Sequence, residues 1–147
     1  MEDLLLYFAY GSNMYRKRLS DRIGSADKWD NGMVSNKQLY FNKLGQDGSG
    51  KANLIDHDDE KAYGVIYRVN ESDLIKLDRF EVGYGRKTLE VQSDNNGYVN
   101  VVSYLANNLN YFINPNKGYL DYIVKGAEEN GLKKNYIDYL KSIPTID

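Results

Sequence analysis

Tyr7-Phe8-Ala9-Tyr10-Gly11-Ser12-Asn13-Met14 closes an apolar run that begins at Leu4, and the way this run ends decides how the rest of the chain is read. Leu4 to Ala9 has strand length and is rich in leucine and aromatic side chains, and Gly11-Ser12-Asn13 is turn punctuation. The segment therefore predicts a buried strand emptying into a tight turn. A basic, helix-compatible stretch, Tyr15 to Ile23, comes next, with Ser12 or Asn13 placed to cap it and Gly24 placed to stop it. A strand that feeds such a turn at a helix start presents unpaired backbone N–H groups and the positive end of a helix dipole, which suits an anion.

The 147 residues suffice for one domain with a sizeable core and are too few for two, so a single domain over residues 1–147 is expected. A net charge of -2 argues against a dedicated nucleic-acid surface and leaves a small molecule as the expected partner. Cysteine is absent, which removes disulfides, a thiolate nucleophile and a thiolate zinc site. The amino end is acidic, Met-Glu-Asp, where a secretory leader would be basic, and no run approaches the ~20 apolar residues of a membrane helix. These features predict a soluble, cytoplasmic protein that does not enter a membrane; oligomeric state is left open, a homodimer included. The 14 tyrosines suit strands, and they also suit a pocket that must be apolar and yet offer hydroxyls.

Downstream, Met33 to Asn42 reads as a strand carrying Val34, Leu39 and Phe41. Gly45, Gly50 and Lys51 match the spacing of a phosphate loop, but Ala52 stands where a hydroxyl should reach magnesium, and Asn53 to Asp56 looks like a short strand and not the required helix. Asp56-His57-Asp58-Asp59-Glu60 holds the only histidine among carboxylates; it lacks a calcium-loop pattern and a zinc triad, and reads as a solvated acidic turn. Ala62 to Val69 alternates with a period of two. Asn70 or Ser72 can cap a helix over Asp73 to Glu81, in which Leu74, Leu77 and Glu81 share a face and turn the carboxylate inward. A carboxylate desolvated in this way has a raised pKa and can carry a proton near neutral pH. Strands Arg86 to Gln92 and Gly97 to Leu105, joined by Ser93 to Asn96, and helices Lys117 to Asn130 and Lys133 to Ile143 complete an α+β fold.

Tyr7 to Met14 resembles the signature of the γ-glutamylcyclotransferase family, within the AIG2-like superfamily. Three later segments are similar to that family in the same order: Leu77-Asp78-Arg79-Phe80-Glu81, where its catalytic glutamate lies, Ser103-Tyr104-Leu105 in its late strand, and Tyr119 followed by Gly126-Ala127-Glu128-Glu129-Asn130-Gly131-Leu132. The resemblance spans nearly the whole chain and implies a small mixed, largely antiparallel β-barrel flanked by helices. It further implies release of 5-oxoproline from a γ-glutamyl amino acid, peptide or amine by intramolecular aminolysis, without a cofactor or a metal. Glu81 is then the catalytic acid and base, and Tyr7, Phe8, Ala9, Tyr10, Gly11, Ser12, Asn13, Tyr104 and Tyr119 bind substrate. Arg18 and Arg22 match positions expected to brace the turn. The family tends to place glycine directly after its glutamate; here Val82 intervenes before Gly83, a difference that bears on the leaving-group side, built from the loops around Tyr84 and Asn107 to Asn116.

Two other classes compete. A hydrolase would use Ser12 as nucleophile with His57 as base, although no nucleophile-elbow motif surrounds Ser12. A non-catalytic binding module would keep the pocket and lose the chemistry.

Overall fold

Leu5 to Ala9 form the expected first strand, β1, whose last three residues are buried. The computed structural model describes residues 3–107 and 111–147. The β-rich middle of the chain builds two long strands, β2 (Asp27–Leu44) and β3 (Gly50–Val69), paired antiparallel along almost their full length. The far half of β3 also pairs with β1, from Leu5 against Val69 to Ala9 against Val65. β4 (Tyr84–Ser93) and β5 (Gly97–Ala106) form a hairpin that joins β2 at Gly32 and Met33, and β5 meets β1 in parallel at Tyr7 and Val102. Among the described residues, five strands thus close a barrel in the order β1-β3-β2-β4-β5. The closing contacts are short, two residue pairs between β2 and β4 and one between β1 and β5.

Phe8, Phe41, Leu39, Val65, Ile66, Tyr67, Val91 and Val101 fill the core with at most 2% exposure each. Gly32 and Gly64 face each other across β2 and β3 and make room for the Phe8 ring. A Cβ on Gly64 would lie 2.8 Å from that ring and 2.4 Å from the Ala9 carbonyl oxygen, so this pair sets how closely the end of β1 can approach the sheet.

Four helices surround the barrel among the described residues: α1 (Arg16–Ile23), α2 (Glu71–Asp78), α3 (Lys117–Glu129) and α4 (Lys134–Lys141). Asn70 caps α2 in a reciprocal capping box with Asp73, and Gly24 ends α1 in the left-handed conformation, φ 93°. No helix among the described residues is long and apolar enough to cross a membrane.

Three local readings need correction. Ser12 and Asn13 do not cap α1; they lie in a separate 3₁₀ turn, Ser12–Met14, and Tyr15 precedes the helix without a side-chain cap. The acidic segment Asp56 to Glu60 is no chain reversal but an outward bulge of β3. There Ser35 pairs with Lys61 and Lys37 with Asp56, and the excess residues are thrown into solvent opposite Asn36. Asn36 and Asp59 take left-handed backbone, and the Asp59 N–H donates to Asn36 Oδ1. The helix expected to reach Glu81 stops at Asp78, and residues 79–81 continue it as a turn. The strands also start earlier than expected, β2 at Asp27 and β4 at Tyr84.

Candidate active site

The 3₁₀ turn at the mouth of β1 is fastened from three sides. α3 packs on it through Gly126, where a Cβ would come within 2.7 Å of the Met14 backbone and side chain. Asn130 Nδ2 and the Tyr67 hydroxyl both donate to the Met14 carbonyl, at 3.0 and 2.8 Å. Each donor comes from a different element, so the turn is held by the finished fold.

In front of this turn lies a cavity of about 490 Å³, a volume suited to a small ligand. Tyr7, Phe8, Tyr10, Gly11, Ser12 and Asn13 line one side of it, and Glu81 from the segment after α2, Tyr84 from β4, Tyr104 from β5 and Tyr119 from α3 complete the wall. Ala9 is the one residue of the expected binding segment that is not in the wall; it is a buried partner of Val65.

Asn13 is the junction of the site. Its side-chain Nδ2 donates to Glu81 Oε1 at 3.1 Å and to the Tyr7 hydroxyl at 3.0 Å, while its Oδ1 accepts from Arg22 at 3.3 Å. Ser12 Oγ accepts from Arg18 Nε at 2.9 Å. The side chains read as helix caps therefore bind two of the three arginines of α1 instead, and these arginine heads in turn sit over aromatic rings, Arg18 over Tyr122 and Arg22 over Phe80. Both arginines line the cavity besides bracing the turn.

Glu81 reaches the cavity because its N–H still bonds the Leu77 carbonyl, at 3.1 Å, after the helix has ended. Burial raises its pKa, and this outweighs the opposing pull of Arg22, the Asn13 hydrogen bond and Arg18. The Tyr7 and Tyr10 hydroxyls are pushed far above the ordinary phenol range, first by burial, and Tyr119 rises to about 12 for the same reason. All three are neutral phenols at physiological pH.

Tyr104 lines the cavity, and its hydroxyl is engaged within the protein. That group donates to Asp78 Oδ1 at 2.6 Å, and Asp78 is gripped in a two-pronged ion pair by Arg86, at 2.9 and 2.6 Å. The backbone carbonyl of Tyr104 accepts from the Tyr10 hydroxyl, and its ring meets Tyr7 edge-on at 6.0 Å. Tyr104 thus ties the end of α2, just before Glu81, to the mouth of β1. Tyr119 accepts the Ala52 N–H at 3.0 Å, and Tyr84 donates to the Ala52 carbonyl at 2.6 Å, so one residue of β3 is held by two cavity tyrosines.

Lys43 is not singled out by the sequence; Lys51 stands out only within the glycine-rich loop, and Tyr84 only as the centre of a leaving-group loop. The glycine-rich loop is the β2–β3 hairpin turn, closed by the Gly45 N–H on the Ser49 carbonyl, and it leads into a strand. His57 lies exposed in the β3 bulge beside the Asp58 carbonyl and does not line the cavity, so the structure does not bring Ser12 and His57 together there. Among the described residues no group of three or more histidine, cysteine or acidic side chains is arranged to hold a metal.

Comparison with known proteins agrees with this geometry. Residues 61–140 match the model of the AIG2-like family. Human γ-glutamylcyclotransferase is 31% identical over 155 residues, covering 99% of this chain and 82% of the human protein, and the bovine enzyme is 30% identical over 97% and 80%. A solved γ-glutamyl cyclotransferase superposes with a TM-score of 0.91 at 28% identity, covering 99% of this chain and 90% of that one. YkqA from Bacillus subtilis, at 22% identity, shares the fold with a TM-score of 0.83 over 98% of this chain and 56% of its own. An eight-residue strand mouth, an inward glutamate and the barrel that brings them together all point the same way, and the chain belongs to the AIG2-like γ-glutamylcyclotransferase family.

Proposed function

We propose that this protein is a γ-glutamylcyclotransferase that converts a γ-glutamyl amino acid, peptide or amine into 5-oxoproline and the released amine, with Glu81 as its proton carrier. The observation that carries the reading is the Glu81 carboxyl group hydrogen-bonded to Asn13 in the turn of β1, both in the wall of one cavity. In the reaction the α-amine nitrogen bonds to the γ-carbonyl carbon, and the bond from that carbon to the leaving nitrogen breaks. One proton must leave the first nitrogen and one must reach the second.

Glu81 suits both transfers. A carboxylate of raised pKa is a stronger base than one in water, and the acid it becomes is placed to protonate the departing amine. Peptide α-amines titrate near about pH 8, so a fraction of the substrate is already neutral and the second transfer is the harder one. The γ-glutamyl carbonyl needs donors as it becomes an oxyanion, and the Tyr10 to Asn13 turn in the cavity wall is suited to supply backbone N–H groups. A single such donor is worth roughly 3 kcal/mol of barrier. The Tyr7 hydroxyl accepts from Asn13 and has no acceptor for its own proton among the described residues, which leaves it able to donate to the ligand. Because ring closure is intramolecular, the remaining task is to hold the γ-glutamyl chain bent, and well-oriented reactions of this kind reach effective molarities on the order of 10⁵ M or more.

The test is release of 5-oxoproline from a panel of γ-glutamyl amino acids, peptides (glutathione included) and amines, by wild type and Glu81→Gln. Release by the wild type with a loss of roughly a hundred- to ten-thousandfold in the variant is expected. Full activity in Glu81→Gln, or no release from any member of the panel, would sink the proposal.

A further inference from the structure

Lys43 and Lys51 are directly opposite each other in the β2–β3 ladder, and both line the cavity. Opposite residues of an antiparallel pair point to the same face with Cβ atoms about 5 Å apart, and like charges there destabilise the sheet. Their partners compensate only partly. Lys51 has Asp47 at 3.7 Å, but that carboxylate is already occupied: one oxygen accepts the N–H and the hydroxyl of Ser49, the other the Asn116 amide. The Lys43 ammonium donates to the carbonyl of its neighbour Leu44, and no carboxylate pairs with it among the described residues. The Lys51 side chain is only 25% exposed, and its ammonium lies 4.4 Å from the centre of the Tyr119 ring. The Lys43 stem crosses over Gly83, where a Cβ would sit 2.4 Å from its Cε, and its head faces the Tyr84 ring.

Two cations of the same sign have thus been set side by side, half-shielded from water, where the β2–β3 hairpin forms part of the cavity wall. Of the three arginines in the wall, Arg18 and Arg22 are committed to Ser12 and Asn13 and Arg79 is exposed two residues before Glu81, so the two lysines are the cations that the hairpin brings to a ligand. A γ-glutamyl group seated at the turn leaves its leaving group elsewhere in the same cavity, whose wall includes Tyr84 and both lysines.

Resting on the cyclotransferase reading, we propose that Lys43 and Lys51 form a carboxylate subsite that selects substrates whose leaving group is an amino acid or a short peptide over those whose leaving group is an uncharged or cationic amine. The carboxylate relieves the repulsion between the lysines and adds charge-assisted hydrogen bonds that an amide or an amine cannot make.

A matched pair tests it: γ-glutamyl-alanine and γ-glutamyl-alaninamide, which differ in the charge at one end. Wild type should prefer the acid by about tenfold or more in kcat/KM, seen mostly in KM, as expected for one or two charge-assisted bonds. Lys43→Gln/Lys51→Gln should bring the ratio near one, and Lys43→Arg/Lys51→Arg should keep it. Equal use of acid and amide by wild type, or a preference that survives the double glutamine substitution, overturns the proposal. Calorimetric binding of the same two compounds to the wild type and to the double glutamine variant separates this result from the reaction itself. If neither compound is turned over, the cyclotransferase reading fails, and tighter binding of the acid that disappears in the variant still supports the subsite, while equal binding rejects it.

Discussion

Asp30 on β2 and Glu81 after α2 are both carboxylates turned away from solvent, and their surroundings treat them in opposite ways. Asp30 is 7% exposed and accepts four N–H groups: the backbone of Asn31 and Asn95 at 2.8 Å each, and the side chains of Asn95 and Asn96 at 3.1 and 3.2 Å. Burial alone would raise its pKa, but these donors win and hold it below the usual carboxylate range. Glu81 has one donor among the described residues, Asn13, and there burial wins. The number of hydrogen bonds offered to the charge decides which carboxylate is a fixed strut and which is free to exchange a proton.

The difference can be broken most severely at Glu81. Glu81→Gln is expected to lower kcat for 5-oxoproline release by roughly a hundred- to ten-thousandfold, whereas Asp30→Asn should leave turnover within about threefold of wild type. A comparable loss from both would mean that the two acids are not distinct in role. On stability the ranking reverses. Asp30→Asn replaces an acceptor oxygen by a donor facing N–H groups, which should cost about 2 kcal/mol and lower Tm by on the order of 5 °C at neutral pH.

The pH dependence sharpens this. Asp30 has a depressed folded pKa, so its contribution is complete above the unfolded value of about 4 and is lost as pH falls through the lower folded value. The gap in Tm between wild type and Asp30→Asn should therefore close on acidification. Glu81 has a raised folded pKa, so its contribution is present below the unfolded value and is lost as pH rises through the folded one. Arg22 is the largest influence opposing burial at Glu81. Arg22→Met should move the acidic limb of the kcat/KM profile to higher pH, and an unmoved limb would show that a different group controls it. The smallest effect is a gain: Glu81→Gln should raise Tm at pH 7 by a degree or a few, because a buried charge with too few partners has been removed.

How far the sequence reaches can be judged from the same residues. The inward direction of Glu81 follows from its spacing to Leu74 and Leu77, yet the helix assumed to carry it ends at Asp78, and one further backbone bond to Leu77 keeps the phase. The strand Ala62 to Val69 was legible because its alternation is local, although both faces prove to be covered where the barrel and the helices meet. The bulge at Asp56 to Glu60 was not, since acidic residues inside a strand look like a turn unless the partner strand is known. Barrel closure depends on β1 beside β5, some 90 residues apart, and no local pattern encodes such a contact. The resemblance to a family supplied it. Lys43 and Lys51 could have been suspected from their equal distance to the hairpin turn, whereas Arg18 and Arg22 are expected as braces of the turn but not as part of the cavity wall.

The Met14 carbonyl, held by Asn130 from the last third of the chain and by Tyr67 from its middle, has a consequence for biosynthesis. A nascent chain that has emerged only as far as β5 carries the first turn, the acid and both lysines, but lacks the helix that seats the turn and the Tyr119 phenol that grips Ala52. Catalytic competence should then appear all at once, late in synthesis, and a protease that clips the molecule between β5 and α3 and lets the helical tail depart should silence it without touching any group that handles the proton.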